Sequence, residues 1–154
     1  MKATAVLPIL FGIAPAALAD VTAVFDKPAA VQAVPNPSGD LRCTWYSDVM
    51  VRETGVDSPA PGPATLVQAT SGRPGCDAQK GAHEIPLATS DYSFAGRKGG
   101  FLVFTATDPN AAVPFMVIDA GSGRTLYTDA TAADRGIRAA EIADRALRLR
   151  FTRG

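Results

Sequence analysis

The side chains that could carry out catalysis are few. His83 is the only histidine, so a serine or cysteine nucleophile with an imidazole base would have to use it. The chain has no Gly-x-Ser-x-Gly elbow, no His-Glu-x-x-His motif, no Gly-x-x-x-x-Gly-Lys phosphate loop and no calcium-binding EF-hand loop. The sequence therefore predicts no catalytic residue, no cofactor and no metal site, and His83 is interpreted as a surface residue.

The segment Ala95-Gly96-Arg97-Lys98-Gly99-Gly100 has the composition of an anion-binding loop. Its glycines allow backbone amides to converge, and two adjacent cations supply positive charge, so Arg97, Lys98 and Gly99 are the candidate ligand-binding residues for a carboxylate, sulfate or phosphate. The alternative is a hairpin tip whose cations keep an exposed turn soluble and unpaired.

The two cysteines, Cys43 and Cys76, are predicted to form a disulfide. Their 33-residue spacing is unlike a Cys-x-x-Cys redox pair, and one histidine is too few to complete a metal site. Two thiols in an oxidising compartment most simply pair with each other. The pattern thus favours a structural bridge and a location outside the cytoplasm.

Residues 1–19 have the layout of a secretory signal peptide. Lys2 precedes an apolar run from Ala5 to Leu18, and small residues end the segment at Ala19. The run is shorter than the roughly 20 residues that span a bilayer. We therefore expect cleavage after Ala19, export to the periplasm or the extracellular space, and no stable membrane anchor on the mature chain.

Composition limits the partners. The chain has 154 residues, with 15 Lys and Arg against 15 Asp and Glu. This balance is unlike the basic excess of nucleic-acid-binding proteins, so no nucleic-acid partner is expected. The length fits one ordinary domain, and 14 Gly with 12 Pro are typical of short strands joined by turns.

The spacing of apolar residues predicts strands. Leu41 to Arg52 alternates with period two and is interpreted as one strand with a bend at Ser47-Asp48, which places Cys43 beside Trp45. Residues 101–107 are apolar on both parities, which is typical of a central strand. Residues 65–70, 114–120 and 124–129 are predicted to be further strands, with a turn at 108–110 and Gly123 in the left-handed position of a tight reversal.

The C-terminal segment is predicted to be a hairpin with a turn at Asp144-Arg145. This register places Ile142 opposite Leu147 and Glu141 opposite Arg148, so that apolar faces apolar and acid faces base. A helix over residues 139–150 is the alternative, since its residues favour helices. The last strand stops in the middle of its alternation, which leaves Phe151 without an evident cover and the strand edge open to a partner strand. The alternative, which the pattern favours, is a capped edge that its arginines protect from pairing.

The predicted fold is all-β: a small antiparallel sandwich or partly closed barrel of about eight strands with one disulfide. Residues 41–154 form the β domain, and residues 20–40 are left as a poorly defined segment that holds either short edge strands or a flexible lead-in. Residues 54–64, with alternating prolines, are expected to be a stiff, solvated surface loop. The predicted core residues are Trp45, Val49, Val51, Phe101, Val103, Phe104, Phe115, Val117, Ile118, Leu126, Leu147 and Leu149.

These features favour an exported binding or interaction module, without catalytic activity, for a protein or an envelope polymer. One alternative is an accessory envelope protein that docks by its edge strand or its proline-rich loop. The other is a hydrolase whose carboxylate pair spacing does not reveal. The oligomeric state does not follow from the sequence.

Overall fold

A computed structural model describes residues 24–37, 39–56, 61–69, 72–77, 82–106, 112–133 and 136–154. The predicted signal peptide, the predicted turn at 108–110 and the first of the alternating prolines, Pro59, lie outside these residues. Every regular element within them is a β-strand. No helix in the described ranges is long and apolar enough to cross a membrane.

Eleven strands are present in the described residues, more than the eight or so that the sequence predicts. In chain order they are β1 Ala30–Val34, β2 Leu41–Trp45, β3 Val49–Thr54, β4 Thr65–Ala69, β5 Ala82–Pro86, β6 Tyr92–Lys98, β7 Phe101–Ala106, β8 Val113–Asp119, β9 Thr125–Thr131, β10 Ile137–Ala143 and β11 Ala146–Phe151.

The strands form three antiparallel sheets, each with neighbouring strands in chain order. Sheet I contains β1 to β5, sheet II contains β6 to β9, and sheet III is the β10–β11 hairpin. The sheets are open and do not close into a barrel. The predicted all-β antiparallel sandwich with one disulfide is therefore confirmed.

Two hydrophobic clusters hold the three sheets in layers. Between sheets I and II, side chains of β3 and β4 such as Val51 and Leu66 pack against Leu102 and Phe104 of β7. On the opposite face of sheet II, Val103 and Phe115 pack against the hairpin of sheet III. Residues 102 to 104 of β7 are thus covered on both faces, as the apolar residues on both parities predict.

A third cluster lies on the outer face of sheet I and contains the disulfide Cys43–Cys76. Trp45 belongs to the same cluster, as predicted, and its indole N–H donates to the Pro74 carbonyl at 2.8 Å. The Arg73 guanidinium lies 4.3 Å from the centre of the indole ring. The bridge therefore fixes a loop over this face, which no other sheet covers.

The prediction of one bent strand from Leu41 to Arg52 is wrong, because the chain reverses at Ser47-Asp48 and β2 pairs with β3. The reversal is tight: the Tyr46 N–H donates to the Val49 carbonyl at 2.8 Å. As a result Cys43 and Trp45 face outward while Val49 and Val51 face sheet II. The alternating pattern of the sequence predicts instead that all four side chains lie on one face of a single strand.

Residues 24–34 pack against both large sheets. β1 pairs with β2 along its whole length, and Val24 is buried against sheet II. The Asp26 backbone N–H donates to the Arg97 carbonyl at 2.8 Å. Residues 24–34 therefore form part of the domain, which decides between the edge strand and the flexible lead-in for this stretch.

The described ends of the proline-rich segment also contact the domain. Pro61 is buried, and the Gly62 N–H donates to the Thr54 carbonyl at 3.1 Å. This end of the segment is packed rather than solvated, so the expectation of a fully solvated loop is wrong here.

Candidate binding groove

Arg97 and Lys98 lie within β6, and only Gly99 and Gly100 form the turn to β7. The prediction of a loop over residues 95–100 is therefore wrong, because a two-residue glycine turn is enough to reverse the chain. The two terminal guanidinium nitrogens of Arg97 donate to the two oxygens of the Asp48 carboxylate. The guanidinium of Arg97 also lies 5.2 Å from the centre of the Tyr46 ring.

Asp26 occupies the predicted anion position. Its carboxylate accepts the Gly99 N–H at 2.7 Å and lies 3.3 Å from the Lys98 ammonium. The carboxylate partner of Arg97 is Asp48, and hydrogen bonding to Arg97 lowers the pKa of Asp48. Arg97, Lys98 and Gly99 thus bind carboxylates of the same chain, and binding of an external anion by these residues stays a prediction.

His83 lies on β5 and is exposed. Its Nδ1 is 3.2 Å from Oε1 of Gln68, whose amide nitrogen in turn donates to the Gly121 carbonyl at 2.6 Å. Since Gly121 follows β8, this chain of hydrogen bonds links sheet I to sheet II. A structural contact accounts for the imidazole.

Two glutamates of sheet I face guanidinium groups rather than each other. Glu53 pairs with Arg42 at 2.9 Å, and Glu84 pairs with Arg52 at 3.0 Å. Within the described ranges, no group of three or more His, Cys, Asp or Glu is placed to hold a metal ion. These pairings give no support to the hydrolase alternative, which needs two carboxylates at one cleft.

The clearest concave surface is an apolar groove of about 450 Å³ between sheet II and β11, which we call the β11 groove. Phe101 and Val117 form its floor, and Leu126 and Tyr127 of β9 form its outer side. The wall is contributed by one strand and consists of Ala146, Leu147, Leu149 and Phe151. Leu126 is 51% exposed and Tyr127 is 44% exposed, although both are large and largely apolar.

Aromatic side chains pack together at the inner end of the β11 groove. Phe115 lies 4.9 Å from Phe151 and 6.0 Å from Tyr127, measured between ring centres. Phe151 is therefore partly covered from within, and the expectation that it lacks a cover is only partly right. Aromatic pairs at such distances hold the rings in defined orientations.

A polar cluster fixes Tyr127 at the rim. Its hydroxyl donates to the Asp129 carboxylate at 2.5 Å, and the same carboxylate oxygen accepts from Arg153 at 2.6 Å. Hydrogen bonds from Arg153 and Tyr127 lower the pKa of Asp129 to about 2. The same hydrogen bond to Asp129 raises the pKa of the Tyr127 phenol above its ordinary value.

Sequence reasoning did not identify this groove. Leu126 was predicted to lie in the core, which is wrong because the hairpin of sheet III leaves β9 uncovered. The signal that pointed toward the groove was the clean alternation of the last strand, with its open edge. The sequence around Tyr127 does not indicate a binding site. The residues opposite Tyr127 in the groove belong to sheet III, and the sequence does not predict where sheet III packs.

The described residues form a small, layered β-sheet protein with an open apolar groove beside a strand edge that no other described strand pairs with. Comparisons with known protein families, with curated proteins and with solved structures found no match to this chain.

Proposed function

We propose that this protein is an exported binding module that contacts a protein or envelope component through the β11 groove. The proposal of export rests on the signal-peptide pattern of residues 1–19. The disulfide Cys43–Cys76 is compatible with an oxidising compartment outside the cytoplasm.

One observation carries the binding proposal: Leu126 and Tyr127 are half-exposed on a rigid sheet, directly beside an apolar wall. Exposed apolar surfaces that are continuous, rather than scattered, are typical of interaction sites. Tyr is also among the residues enriched in interfaces, because it offers a large contact area and a polar tip. A partner in the groove would remove this surface from water.

Site-specific photo-cross-linking tests the proposal in the organism that makes the protein. A photoreactive phenylalanine analogue at position 127 is expected to cross-link the secreted protein to a defined partner. The matched control is the same analogue at Thr128, which is exposed on the next residue of β9 and faces away from the groove. Equal cross-linking from both positions, or none from position 127, would contradict the proposed function.

The proposal of export has its own measurement. Mass spectrometry of the protein recovered outside the cytoplasm should find a mature N-terminus at Asp20 and no free thiol. An uncleaved chain in the cytoplasmic fraction would contradict it.

A further inference from the structure

We propose that the β11 groove accepts an extended peptide whose side chains are alternately acidic and apolar, and that this peptide pairs as an additional strand with the open edge of β11. The inference rests on the proposed function, because it names the class of partner for the same groove. Strand addition to an exposed sheet edge is a common mode of peptide recognition.

The hairpin turn determines which backbone groups point to the open edge. Asp144 and Arg145 both have positive φ, 52° and 63°, and form a two-residue turn that closes on the pair Ala143 and Ala146. In such a turn the closing pair is hydrogen-bonded. Because backbone direction alternates along a strand, residues 146, 148 and 150 bond to β10, whereas residues 147, 149 and 151 direct their N–H and C=O groups away from it.

In the described residues, β11 pairs with β10 alone, apart from a bridge between Thr131 and Arg153 beyond its end. At that bridge the Ala132 N–H donates to the Thr152 carbonyl, and the Gly154 N–H donates to the Ala130 carbonyl. Because backbone direction alternates along the strand, these groups of residues 152 and 154 point to the same side as those that bond to β10. The edge formed by Leu147, Leu149 and Phe151 is thus left open for a further strand.

The layers provide room for that strand. Sheet III has two strands, whereas sheet II beneath it has four. β10 lies against β6, and the uncovered part of sheet II is the side of β9 that carries Leu126 and Tyr127. A third strand placed beside β11, about 5 Å away, would lie over these two side chains and complete the layer.

The charges on β11 select the partner. Leu147, Leu149 and Phe151 face the groove, and the intervening Arg148 and Arg150 are exposed on the outer face. Arg148 faces Glu141 across the hairpin and lies 3.5 Å from the Asp144 carboxylate, whereas the residue opposite Arg150 is Ala139, so Arg150 is the cation to which an added strand has most to offer. An added strand with apolar residues toward the groove and acidic residues outward would therefore pair with these cations.

The same charges argue against a second copy of the chain as the occupant. If two β11 strands paired edge to edge, the outward arginines of one would lie beside those of the other. Like charges at neighbouring strand positions are destabilising. The occupant we infer is therefore an acidic, alternating peptide of a different protein.

The test uses a fluorescent seven-residue peptide of alternating glutamate and valine, with a lysine–valine peptide as its matched control. The full mature protein is expected to bind the glutamate peptide about tenfold more tightly than the lysine peptide, measured by anisotropy. The double variant Arg148→Glu with Arg150→Glu should reverse this preference. Equal affinity for the two peptides would overturn the proposal.

Hydrogen exchange locates the peptide on the native protein. Saturating glutamate peptide is expected to slow exchange at the amides of Leu147, Leu149 and Phe151. Binding without this protection would overturn strand addition. Protection of the same amides by concentration alone, together with dimer formation, would overturn the proposal in favour of a second copy.

The variant Leu149→Pro removes one edge N–H and leaves the bonds to β10 intact, because proline is tolerated where the N–H faces solvent. It should weaken binding of the glutamate peptide about tenfold, while Leu149→Met, which retains the N–H, should change it less than about twofold. Circular dichroism establishes that both variants are folded, and the exchange experiment on the native chain decides the question if Leu149→Pro is not.

Failure of this inference can be told apart from failure of the proposed function. If position 127 yields no specific cross-link in the native organism, the proposed function itself fails. If position 127 does capture a partner, but Leu149→Pro and the arginine reversal leave its yield unchanged, only strand addition by an acidic peptide is overturned.

Discussion

Glu53 is the buried carboxylate that links the two large sheets. It lies on β3 with 4% of its surface exposed, and its two oxygens have different partners. One accepts the Arg42 Nε–H at 2.9 Å, and the other accepts the Phe94 N–H on the edge of β6 at 2.7 Å. A buried carboxylate is tolerated here because both of its oxygens are satisfied.

Replacing Glu53 with alanine should lower the free energy of unfolding by about 2 kcal/mol, because the partly buried Phe94 N–H and the Arg42 guanidinium both lose their acceptor. Urea unfolding of the purified variant measures the change. The control is Glu141→Ala on the exposed face of sheet III, where a change below about 0.5 kcal/mol is expected. Equal effects in the two variants would show that Glu53 does not join the sheets.

Gly96 is a second residue whose type is imposed by a contact. A Cβ at this position would lie 2.5 Å from the Phe25 ring, which packs against the cluster under sheet III. Phe25 therefore rests directly on the backbone of β6, at the bulge between Phe94 and Gly96. Only glycine allows this approach.

Gly96→Ala should lower the free energy of unfolding by about 2 kcal/mol, since Phe25 must move out of its site. Gly100→Ala is the matched control, because a Cβ there meets no atom within 4 Å. In a double-mutant cycle, Phe25→Ala should cost less in the Gly96→Ala background than in the native chain. Additive effects would contradict a direct contact.

At the level of elements, the strand register was predicted correctly where a two-residue turn fixes it. The β10–β11 register agrees with the prediction pair by pair, with Ile142 opposite Leu147 and Glu141 opposite Arg148. A two-residue turn leaves one register that matches apolar and charged pairs, so the sequence determines it. The helix alternative for this segment is wrong, because the residues form strands.

The β2–β3 hairpin was missed because its turn lacks the usual glycine or proline. Ser47 and Asp48 interrupt a pattern whose parity happens to continue on the other side, so the reversal resembles a bend. The groove was missed for a related reason. Which face of β9 remains uncovered depends on where sheet III packs, and this is set by long-range contacts rather than by local spacing.

The end of the chain is attached to β9 by an ion pair whose pH dependence is predictable. Arg153 holds the pKa of Asp129 at about 2, below its ordinary value of 3.8. Because the folded pKa is lowered, the contribution of this pair is complete above the ordinary pKa and is lost as the pH falls toward 2.

Arg153→Ala should therefore raise the pKa of Asp129 toward 3.8, and the carboxylate should protonate at a higher pH. NMR titration of the Asp129 carboxyl in the native and variant proteins measures both midpoints. Tyr127→Phe, which removes a weaker contribution to the same shift, should raise the pKa less. A midpoint that does not respond to Arg153→Ala would contradict the pairing.

At the level of the whole molecule, the three hydrophobic clusters differ in what covers them. Each of the two inner clusters lies between sheets, and neither contains a cysteine. The outer cluster is covered by a loop and contains both cysteines together with Trp45, the only tryptophan of the chain. The disulfide thus reinforces the one layer that no sheet protects.

This arrangement predicts how the protein responds to loss of the bridge. Replacing Cys43 and Cys76 with alanine should lower the free energy of unfolding by about 4 kcal/mol, because the bridge restricts the unfolded chain by closing a loop of 33-residue separation. Unfolding should remain cooperative because the two inner clusters are intact, with a melting temperature lower by about 10 °C.

Two spectroscopic signals make that test specific. Far-ultraviolet circular dichroism follows all three sheets, whereas tryptophan fluorescence follows the outer cluster through Trp45. In the native protein the two melting curves should coincide. In the alanine variant they should still coincide at the lower temperature, because Met50 and Val67 connect the outer cluster to sheet I.

A fluorescence transition that precedes the circular dichroism transition would show that the outer layer unfolds independently. The absence of any cooperative transition would show that the inner clusters cannot maintain the fold without the bridge.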